Sequence, residues 1–487
     1  MRNRPFNIQV GLTYDDVLLV PKRSRIESRT DVITKTNLTP NIELNIPFVS
    51  ANMDTVTESQ MAIAMAKEGG IGIVHRFMTV EKQAGEVERV KRTEGFVVDK
   101  PYTILPGKKI GQAKDLMRKS DISGFIVVNE KNKVVGIISH RDVMFEDKLR
   151  KRVDEVMTPL KKLITASPDI TFEKAKEIFK KYKVEKLPLL NKDGTLAGLI
   201  TARTIENIAR YPMATKDKMG RLRVGAAVGV TKDYLERGQE LVKAGVDVLV
   251  IDVAHGHHEH TIKALKEFKK KLHNIEVIAG NTATFEGARD LIKAGADAVK
   301  VGVGPGGLCT TRIVAGVGYP QLSAIMECAK IAIREKVPLI ADGGTNYSGD
   351  ITKALAAGAS TLMLAGWLAG TNESPGDIIM RKGLKYKVHR GSASFMSVAD
   401  RKLATEVSLN GKGPRANLNT IVAEGVESII PYKGAVTDVI YQLLGGLRSG
   451  MSYCNALTIG ELWENADFVQ ITSAGFKESN SHNVEEI

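Results

Sequence analysis

The sequence contains very little cysteine. Only three cysteines, Cys309, Cys328 and Cys454, occur in 487 residues, and they lie far apart. An odd and sparse set at wide spacing argues against a disulfide framework and against a zinc site. Each is expected to be a small buried side chain unless its neighbours indicate otherwise, and only Cys309 has such neighbours.

Long apolar runs are also missing. No uncharged apolar stretch approaches the length of about 18 residues that a membrane span requires. The opening residues, MRNRPFNIQVGLTYDD, lack the apolar segment of a signal peptide. We therefore expect a cytoplasmic protein with no membrane partner.

Aromatic residues make up only 5% of the chain, although its formal net charge is +13. Much of the charge stands in mixed runs such as KALKEFKKKL, which indicate solvated helix faces, without an aromatic-rich basic stretch. Nucleic acid is therefore not expected as a partner, whereas small anionic substrates fit the positive charge.

Eight short runs rich in β-forming residues recur along the chain, and several precede helical patterns that end on glycine. The runs are 46–52, 70–75, 224–229, 246–253, 275–281, 298–304, 338–344 and 361–366. Apolar strands that alternate with helices predict a parallel sheet, and eight such units predict a (β/α)₈ TIM barrel. An open doubly wound sheet is the alternative.

A long insertion separates the second run from the third. Inside it, residues 122–143 and 184–205 align without gaps as strand, turn, strand and helix start. The repeat resembles a tandem pair of CBS modules, which commonly bind adenine nucleotides; a structural or oligomerising insertion is the alternative. We predict a first barrel segment at 1–94, the tandem CBS module at 95–207, and a second barrel segment at 208–487.

Polar residues and glycines follow the predicted strands at the barrel end where such enzymes place their active sites. The run VGVGPGGLCTTR holds Cys309 on a glycine-rich loop after the sixth strand. This setting suits an exposed nucleophilic thiol, although a packing cysteine in a bend is the alternative. Glycines after the seventh and eighth strands, in ADGG and LAGW, suit a phosphate site.

Two other motifs give no site. His255, His257 and His258 lack the spacing of a zinc site, so a metal ion is not expected there. The run GVGPGG departs from the dinucleotide-binding pattern, and no ribose-binding acid clearly follows it, so we expect no Rossmann domain.

Longer motifs spread over essentially the whole chain include SANMDTVTE, GGIGIVHR, GNTAT, GPGGLCTTRIVAGVGYPQ, ADGGTNYSGDI and GGLRSGMSYC. In these motifs, among others, the chain resembles the inosine 5′-monophosphate dehydrogenase / guanosine 5′-monophosphate reductase family. The resemblance implies a (β/α)₈ barrel with CBS modules inserted after the second strand, and a homotetramer or octamer.

The resemblance also implies a reaction. In the dehydrogenase a cysteine adds to C2 of inosine 5′-monophosphate (IMP), hydride passes from C2 to NAD, and the resulting thioimidate is hydrolysed to xanthosine 5′-monophosphate (XMP). Cys309 matches that nucleophile and Thr311 matches a threonine near the purine. Arg401 matches an arginine that activates water.

Three further groups of residues are implied by the same resemblance. The substrate-binding residues are Gly307, Asp342, Gly343, Gly344, Ala365, Gly366, His389, Arg390, Gly391, Ser392 and Glu424. The residues at the NAD site are Asp252, Ala254, His255, Asn281, Gly302, Val303 and Gly304. A potassium ion is held by Gly304, Gly306 and Cys309, together with Glu478, Ser479 and Asn480 contributed by a neighbouring subunit.

The chain departs from the family pattern near Arg401. Lys402 stands where a tyrosine is expected, and Gly307 replaces a serine. His389 and Ser392 replace a tyrosine and a methionine. The resemblance therefore leaves IMP dehydrogenase open against GMP reductase, which uses NADPH and the same thioimidate but needs no activated water. A third alternative is a non-catalytic paralogue that senses nucleotides through its CBS modules.

Overall fold

A closed barrel of parallel strands lies at the centre of the larger part of the chain. The computed structural model describes residues 8–93, 97–98, 101–120, 122–230, 232–410 and 420–481. The barrel strands are β1 (Phe48–Ser50), β2 (Ile71–Val74), β3 (Gly225–Val228), β4 (Val248–Asp252), β5 (Glu276–Thr282), β6 (Ala298–Val301), β7 (Leu339–Asp342) and β8 (Thr361–Leu364). Strand β8 pairs in parallel with β1 and closes the ring. The predicted TIM barrel is confirmed, and the open-sheet alternative is wrong.

A helix follows each barrel strand. These helices are α1 (Ser59–Lys67), α2 (Val80–Thr93), α3 (Tyr234–Lys243), α4 (Glu259–Lys271), α5 (Phe285–Lys293), α6 (Gln321–Glu335), α7 (Ser348–Ala356) and α8 (Val436–Tyr453). Helices α3, α5 and α7 end two residues before Gly245, Gly295 and Gly358, whose φ angles are +91°, +103° and +110°. Glycine adopts such angles without steric cost, which explains why these helices end there.

The barrel strands are almost wholly buried. In β4, for example, Val248, Leu249, Val250 and Ile251 are all completely buried. Helices cover the outer face of a parallel barrel and packed side chains fill its inside, so apolar residues occupy both faces of each strand. This core fixes where each strand ends and therefore where the polar residues after it lie.

Shorter elements surround the barrel. Val17–Leu19 pairs with Phe468–Gln470, and Thr36–Thr39 pairs with Ile42–Leu44. A three-stranded antiparallel sheet consists of Ile378–Arg381, Leu384–Arg390 and Glu427–Pro431. The remaining helices are Thr311–Val314, Phe395–Asn410, Ile459–Asn465 and Ser473–Glu478, with 3-10 turns at Tyr14–Asp16 and Arg29–Asp31.

A second compact unit consists of residues 92–212 and 218–221. Its strands are Thr103–Ile104, Gly124–Val128, Val134–Ser139, Thr158–Pro159, Lys186–Leu190 and Leu196–Thr201. Its helices are Ile110–Ser120, His140–Met144, Val153–Val156, Phe172–Tyr182 and Ala202–Arg210, with a 3-10 turn at Leu160–Lys162.

The internal repeat corresponds to two equivalent β-hairpins in this second unit. Gly124–Val128 pairs with Val134–Ser139, and Lys186–Leu190 pairs with Leu196–Thr201, both antiparallel. Both ladders shift register at the equivalent step, between Val127 and Val128 and between Leu189 and Leu190. The assignment of the unit as a tandem CBS pair stays a prediction.

The helices in the described ranges are too short or too polar to span a bilayer: none of them is both long enough and apolar enough to cross a membrane.

Candidate active site

A cavity of about 570 Å³ opens at the carboxyl ends of the barrel strands. This volume falls in the range of small-molecule sites. Twenty of the predicted site residues line it: Asp252, Ala254, Asn281, Gly302, Val303, Gly304, Gly306, Gly307, Cys309, Thr311, Asp342, Gly343, Gly344, Ala365, Gly366, His389, Gly391, Ser392, Arg401 and Glu424. The cavity therefore brings together residues that the sequence spreads from Asp252 to Glu424.

The loop after β6 brings Cys309 to this cavity. Gly302 makes the bend possible, because a Cβ there would lie 2.1 Å from the Asp342 carbonyl oxygen. The Gly306 carbonyl accepts the Cys309 N–H at 2.9 Å, and the short helix Thr311–Val314 begins immediately afterwards. The loop thus leaves Cys309 exposed, as the sequence predicts for a nucleophile.

A hydrogen-bonded chain leads from the thiol to a carboxylate. The Cys309 Sγ–H donates to Thr311 Oγ1 at 3.2 Å, and the Thr311 hydroxyl donates to Glu424 Oε2 at 2.8 Å. The Thr310 N–H also donates to the Glu424 carbonyl at 2.8 Å, which fixes the segment around Glu424 to the Cys309 loop. This arrangement can carry a proton away from a thiol that attacks a substrate.

Two aspartates at strand ends face each other across a buried lysine. Lys300 Nζ lies 3.0 Å from Asp252 Oδ1 and 2.5 Å from Asp342 Oδ2. Asn281 Nδ2 donates to Asp342 Oδ2 at 2.9 Å and to the Gly302 carbonyl at 2.8 Å. Sequence reasoning missed Lys300, although a charged residue inside the apolar strand AVKV was the available signal.

Glycines and one histidine form another wall of the cavity. Gly343 and Gly344 have φ angles of +91° and +87°, and Gly366, Gly391 and His389 lie with them along the cavity. Bare main chain of this kind allows a phosphate group to approach N–H groups closely.

His389 lies beside the buried side chain of Thr55. Thr55 Oγ1 accepts the Arg390 N–H at 3.1 Å and lies 3.3 Å from His389 Nδ1. Burial, followed by the positive charge of Lys433, lowers the pKa of His389 to about 4.

Arg401 reaches the cavity from the helix Phe395–Asn410. Its guanidinium lies 5.8 Å from the centre of the Phe77 ring. Burial lowers the pKa of Arg401 below its ordinary value. A second arginine, Arg76, also lines the cavity, although it was not among the predicted site residues. Burial, followed by the positive charge of Arg401, lowers the pKa of Arg76 to about 10. Lys402 is not among the lining residues, and residues 411–419 of the same segment lie outside the described residues.

Five predicted site residues lie away from the cavity. His255 is exposed to solvent. The Arg390 guanidinium contacts Asp54 at 2.9 Å and Asp400 at 3.3 Å, so this side chain ties the helix Phe395–Asn410 to the segment after β1. Glu478, Ser479 and Asn480 lie at the end of the helix Ser473–Glu478. Among the described residues, no group of three or more His, Cys, Asp or Glu side chains could hold a metal ion.

Known proteins resemble this chain over nearly its whole length. A family model described as the IMP dehydrogenase / GMP reductase domain matches residues 11–482. Inosine-5′-monophosphate dehydrogenase of Nitrosopumilus maritimus (strain SCM1) is 51% identical over 97% of this chain and 98% of that protein. Its counterpart from Aquifex aeolicus (strain VF5) is 52% identical over 98% of this chain and 96% of that protein.

A solved structure also resembles this chain in fold and sequence. A variant of GMP reductase from Trypanosoma brucei in complex with guanosine 5′-monophosphate matches this fold with a TM-score of 0.91 and 42% identity, covering 98% of this chain and 99% of that one. The chain therefore belongs to the IMP dehydrogenase / GMP reductase family.

Proposed function

We propose that the protein oxidises IMP to XMP with NAD as hydride acceptor, through a covalent intermediate on Cys309. The observation that carries the proposal is the chain from Cys309 through Thr311 to Glu424 at the edge of the cavity. Several relatives about half identical over nearly the whole chain carry the name inosine-5′-monophosphate dehydrogenase, which supports oxidation over other chemistry.

The first half of the reaction uses the thiol. The Cys309 sulfur forms a bond to C2 of the purine while its proton passes to Thr311, which hands its own proton to Glu424. The C2 hydrogen then leaves with its electron pair, which oxidises the purine to a thioimidate. NAD, when bound, accepts that hydride and becomes NADH.

The second half uses water and Arg401. A water molecule adds to C2 and loses a proton to the neutral form of Arg401, and the C2–S bond breaks to release XMP and the Cys309 thiolate. Arginine is normally protonated throughout the accessible pH range, but burial lowers the pKa of Arg401 and so favours its action as a base.

The residues along the cavity fit the two ligands. Gly343, Gly344 and Gly366 offer bare main chain for the IMP phosphate. Asp342 is suited to accept hydrogen bonds from the IMP ribose, and Asp252 with Asn281 is suited to the nicotinamide nucleoside. These assignments follow the family motifs, and the shared cavity supports them.

The Cys309 loop also fits a potassium ion. Main-chain carbonyl oxygens are the ligands that potassium prefers in proteins. The loop is open at Gly306, where the nearest atom to a Cβ position is Cys309 Cβ at 3.7 Å, and at Gly307, where nothing lies within 4 Å. Gly304, Gly306 and Cys309 would supply carbonyl groups, and Glu478, Ser479 and Asn480 of a neighbouring subunit would complete the site. The ion would hold this loop in the conformation that presents the thiol.

The internal repeat and the family resemblance also support proposals about regulation and assembly. The two equivalent hairpins of the second unit support a tandem CBS module that binds adenine nucleotides. A homotetramer or octamer and a cytoplasmic location follow from the family resemblance.

GMP reductase is the second candidate function. The structural match to GMP reductase favours it, as does Lys402 in the position of an expected tyrosine. Parallel assays of the purified protein test both: IMP with NAD, followed by NADH and XMP, and GMP with NADPH, followed by NADPH loss and ammonia. We expect turnover with IMP and NAD; turnover only with GMP and NADPH would establish the reductase, and turnover with neither would leave a non-catalytic paralogue.

A further inference from the structure

Lys300 places an ionisable side chain inside the buried strand β6. All four residues of β6 are buried, and Lys300 is only 2% exposed. A lysine is rarely buried to this extent unless its ammonium group is paired. Its partners therefore define what it does.

Both partners are carboxylates that face the cavity. Lys300 Nζ is within hydrogen-bonding distance of Asp252 at the end of β4 and of Asp342 at the end of β7. The two aspartate side chains keep 18% and 23% of their surface exposed, and both line the cavity. One nitrogen atom thus joins the side proposed for NAD to the side proposed for the IMP ribose.

The charges of this group depend on one another. Burial alone would lower the pKa of Lys300, but the charges of Asp342 and Asp252 outweigh burial and raise that pKa above its ordinary value. Burial likewise opposes the ionisation of Asp252, yet Lys300 and then Arg76 outweigh it, and the pKa of Asp252 stays below its usual value. Without the ammonium group, two carboxylates that now share one nitrogen atom would face each other with Arg76 as the remaining cation beside Asp252, and like charges brought together favour protonation of one of them.

We propose that Lys300 is a positioning residue that keeps Asp252 and Asp342 ionised, so that both accept hydrogen bonds from the ribose hydroxyls of the two ligands. An ionised carboxylate is an acceptor only, whereas a protonated one donates and competes with the hydroxyl donors. The inference rests on the proposed function, because it takes both ligands to be ribose-containing nucleotides.

The test is the pH dependence of ligand binding in the Lys300→Gln variant. Binding of IMP and of NAD is measured by isothermal titration calorimetry between pH 6 and pH 9. At each pH the affinity of the variant is divided by that of the wild type, which cancels the effect of titration of the IMP phosphate. We expect the relative affinity of Lys300→Gln to fall about tenfold per pH unit below a new apparent pKa, and to recover at alkaline pH. Lys300→Arg, which keeps the charge, should follow the wild type at all pH values.

Lys91 supplies a matched control. Its ammonium group is also buried and also joins two aspartates, Asp217 at 2.9 Å and Asp247 at 2.8 Å, but it does not line the cavity. Lys91→Gln should lower stability without any new pH dependence of ligand binding. The same pH profile in Lys91→Gln and Lys300→Gln would overturn the proposal, and so would a flat profile in Lys300→Gln.

If Lys300→Gln does not fold, a second variant tests whether charge repulsion is the cause. The Asp252→Asn/Lys300→Gln double variant removes one of the two like charges and should fold again; failure to recover would overturn the proposal, because repulsion would not be the cause. If the wild type binds neither IMP nor GMP, the proposed function fails first. If it binds IMP normally and only the pH profiles disagree, the role of Lys300 alone fails.

Discussion

At the scale of single residues, the environment of each cysteine predicts its reactivity. Cys309 is exposed, whereas Cys328 and Cys454 are buried. Burial, with a smaller contribution from Glu327, raises the pKa of Cys328 to about 12, and burial raises the pKa of Cys454 as well. Because the thiolate is the nucleophile, neither buried cysteine should compete with Cys309.

Iodoacetamide should therefore label one cysteine per chain. We expect alkylation of Cys309 to abolish turnover, and IMP to protect it, as followed by peptide mass spectrometry and residual activity. Cys328→Ser should leave the labelling rate unchanged. Rapid labelling of Cys328 or Cys454, or full activity after Cys309 is labelled, would contradict the assignment.

His389 should make the folded protein sensitive to acid. Its pKa falls from 6.5 to about 4 on folding, so between these pH values the unfolded chain takes up a proton that the folded chain does not. Stability therefore falls as pH falls through this window, by about 3 kcal/mol for a shift of this size. We expect His389→Gln to flatten the decline of the melting temperature between pH 6.5 and pH 4.

An exposed histidine serves as the control for His389. His273 is exposed at the end of α4, so His273→Gln should retain the wild-type slope of melting temperature against pH. Equal slopes in the wild type and His389→Gln would show that the imidazole is not held neutral in the folded protein.

Single residues also mark the limit of sequence reasoning. Cys309 and Asp342 could be predicted because glycines surround them at strand ends. The charge inside AVKV could have marked Lys300, but the partners of Lys300 and Arg76 could not be predicted because they come from other strands. Arg390 stays a prediction for the substrate site, and the sequence did not indicate that its guanidinium pairs with Asp54 and Asp400.

At the scale of elements, the helix Phe395–Asn410 carries the residue proposed for hydrolysis. Arg401→Ala should spare the hydride step and slow release of XMP, and loss of a general base typically costs 10²–10⁴-fold. Stopped-flow absorbance should then show a burst of NADH followed by a slow steady rate. Under the reductase alternative, the same variant should oxidise NADPH with GMP at nearly the wild-type rate.

Lys402 is the matched control for Arg401. It is the next residue on the same helix and does not line the cavity, so Lys402→Ala should keep a normal steady rate. Equal losses of burst and steady rate in Arg401→Ala would mean that Arg401 acts before hydrolysis.

Element boundaries were predictable where the apolar pattern is continuous. All eight barrel strands lie on the predicted runs because their buried positions require apolar residues on both faces. The antiparallel sheet that carries His389 was not predicted, since its first strand, Ile378–Arg381, is exposed along its whole length and shows no alternating pattern.

At the scale of the whole molecule, the second unit should be separable from catalysis. Lys91 and Asp217, on either side of the insertion, form an ion pair at 2.9 Å, so a short linker can join the two barrel segments. We expect deletion of residues 95–207 to leave turnover largely intact and to remove any response to adenine nucleotides. A folded but inactive barrel would show that the insertion contributes to the active site.

The repeat in the sequence was sufficient to predict two equivalent hairpins, because strand and turn residues recur at the same positions. The repeat alone does not predict a ligand for this unit, since binding would depend on side chains that differ between the two copies. The assembly of subunits likewise depends on surfaces that a single sequence does not distinguish from ordinary exposed ones.

The central claim is a covalent bond between Cys309 and the purine. It is tested most directly by mixing the Arg401→Ala variant with IMP and NAD, stopping the reaction with acid, and measuring the mass of the peptide that contains Cys309. We expect an adduct of one purine nucleotide on that peptide, formed with the NADH burst and absent in the Cys309→Ala variant. Turnover by Cys309→Ala, or an NADH burst without any adduct, would contradict it.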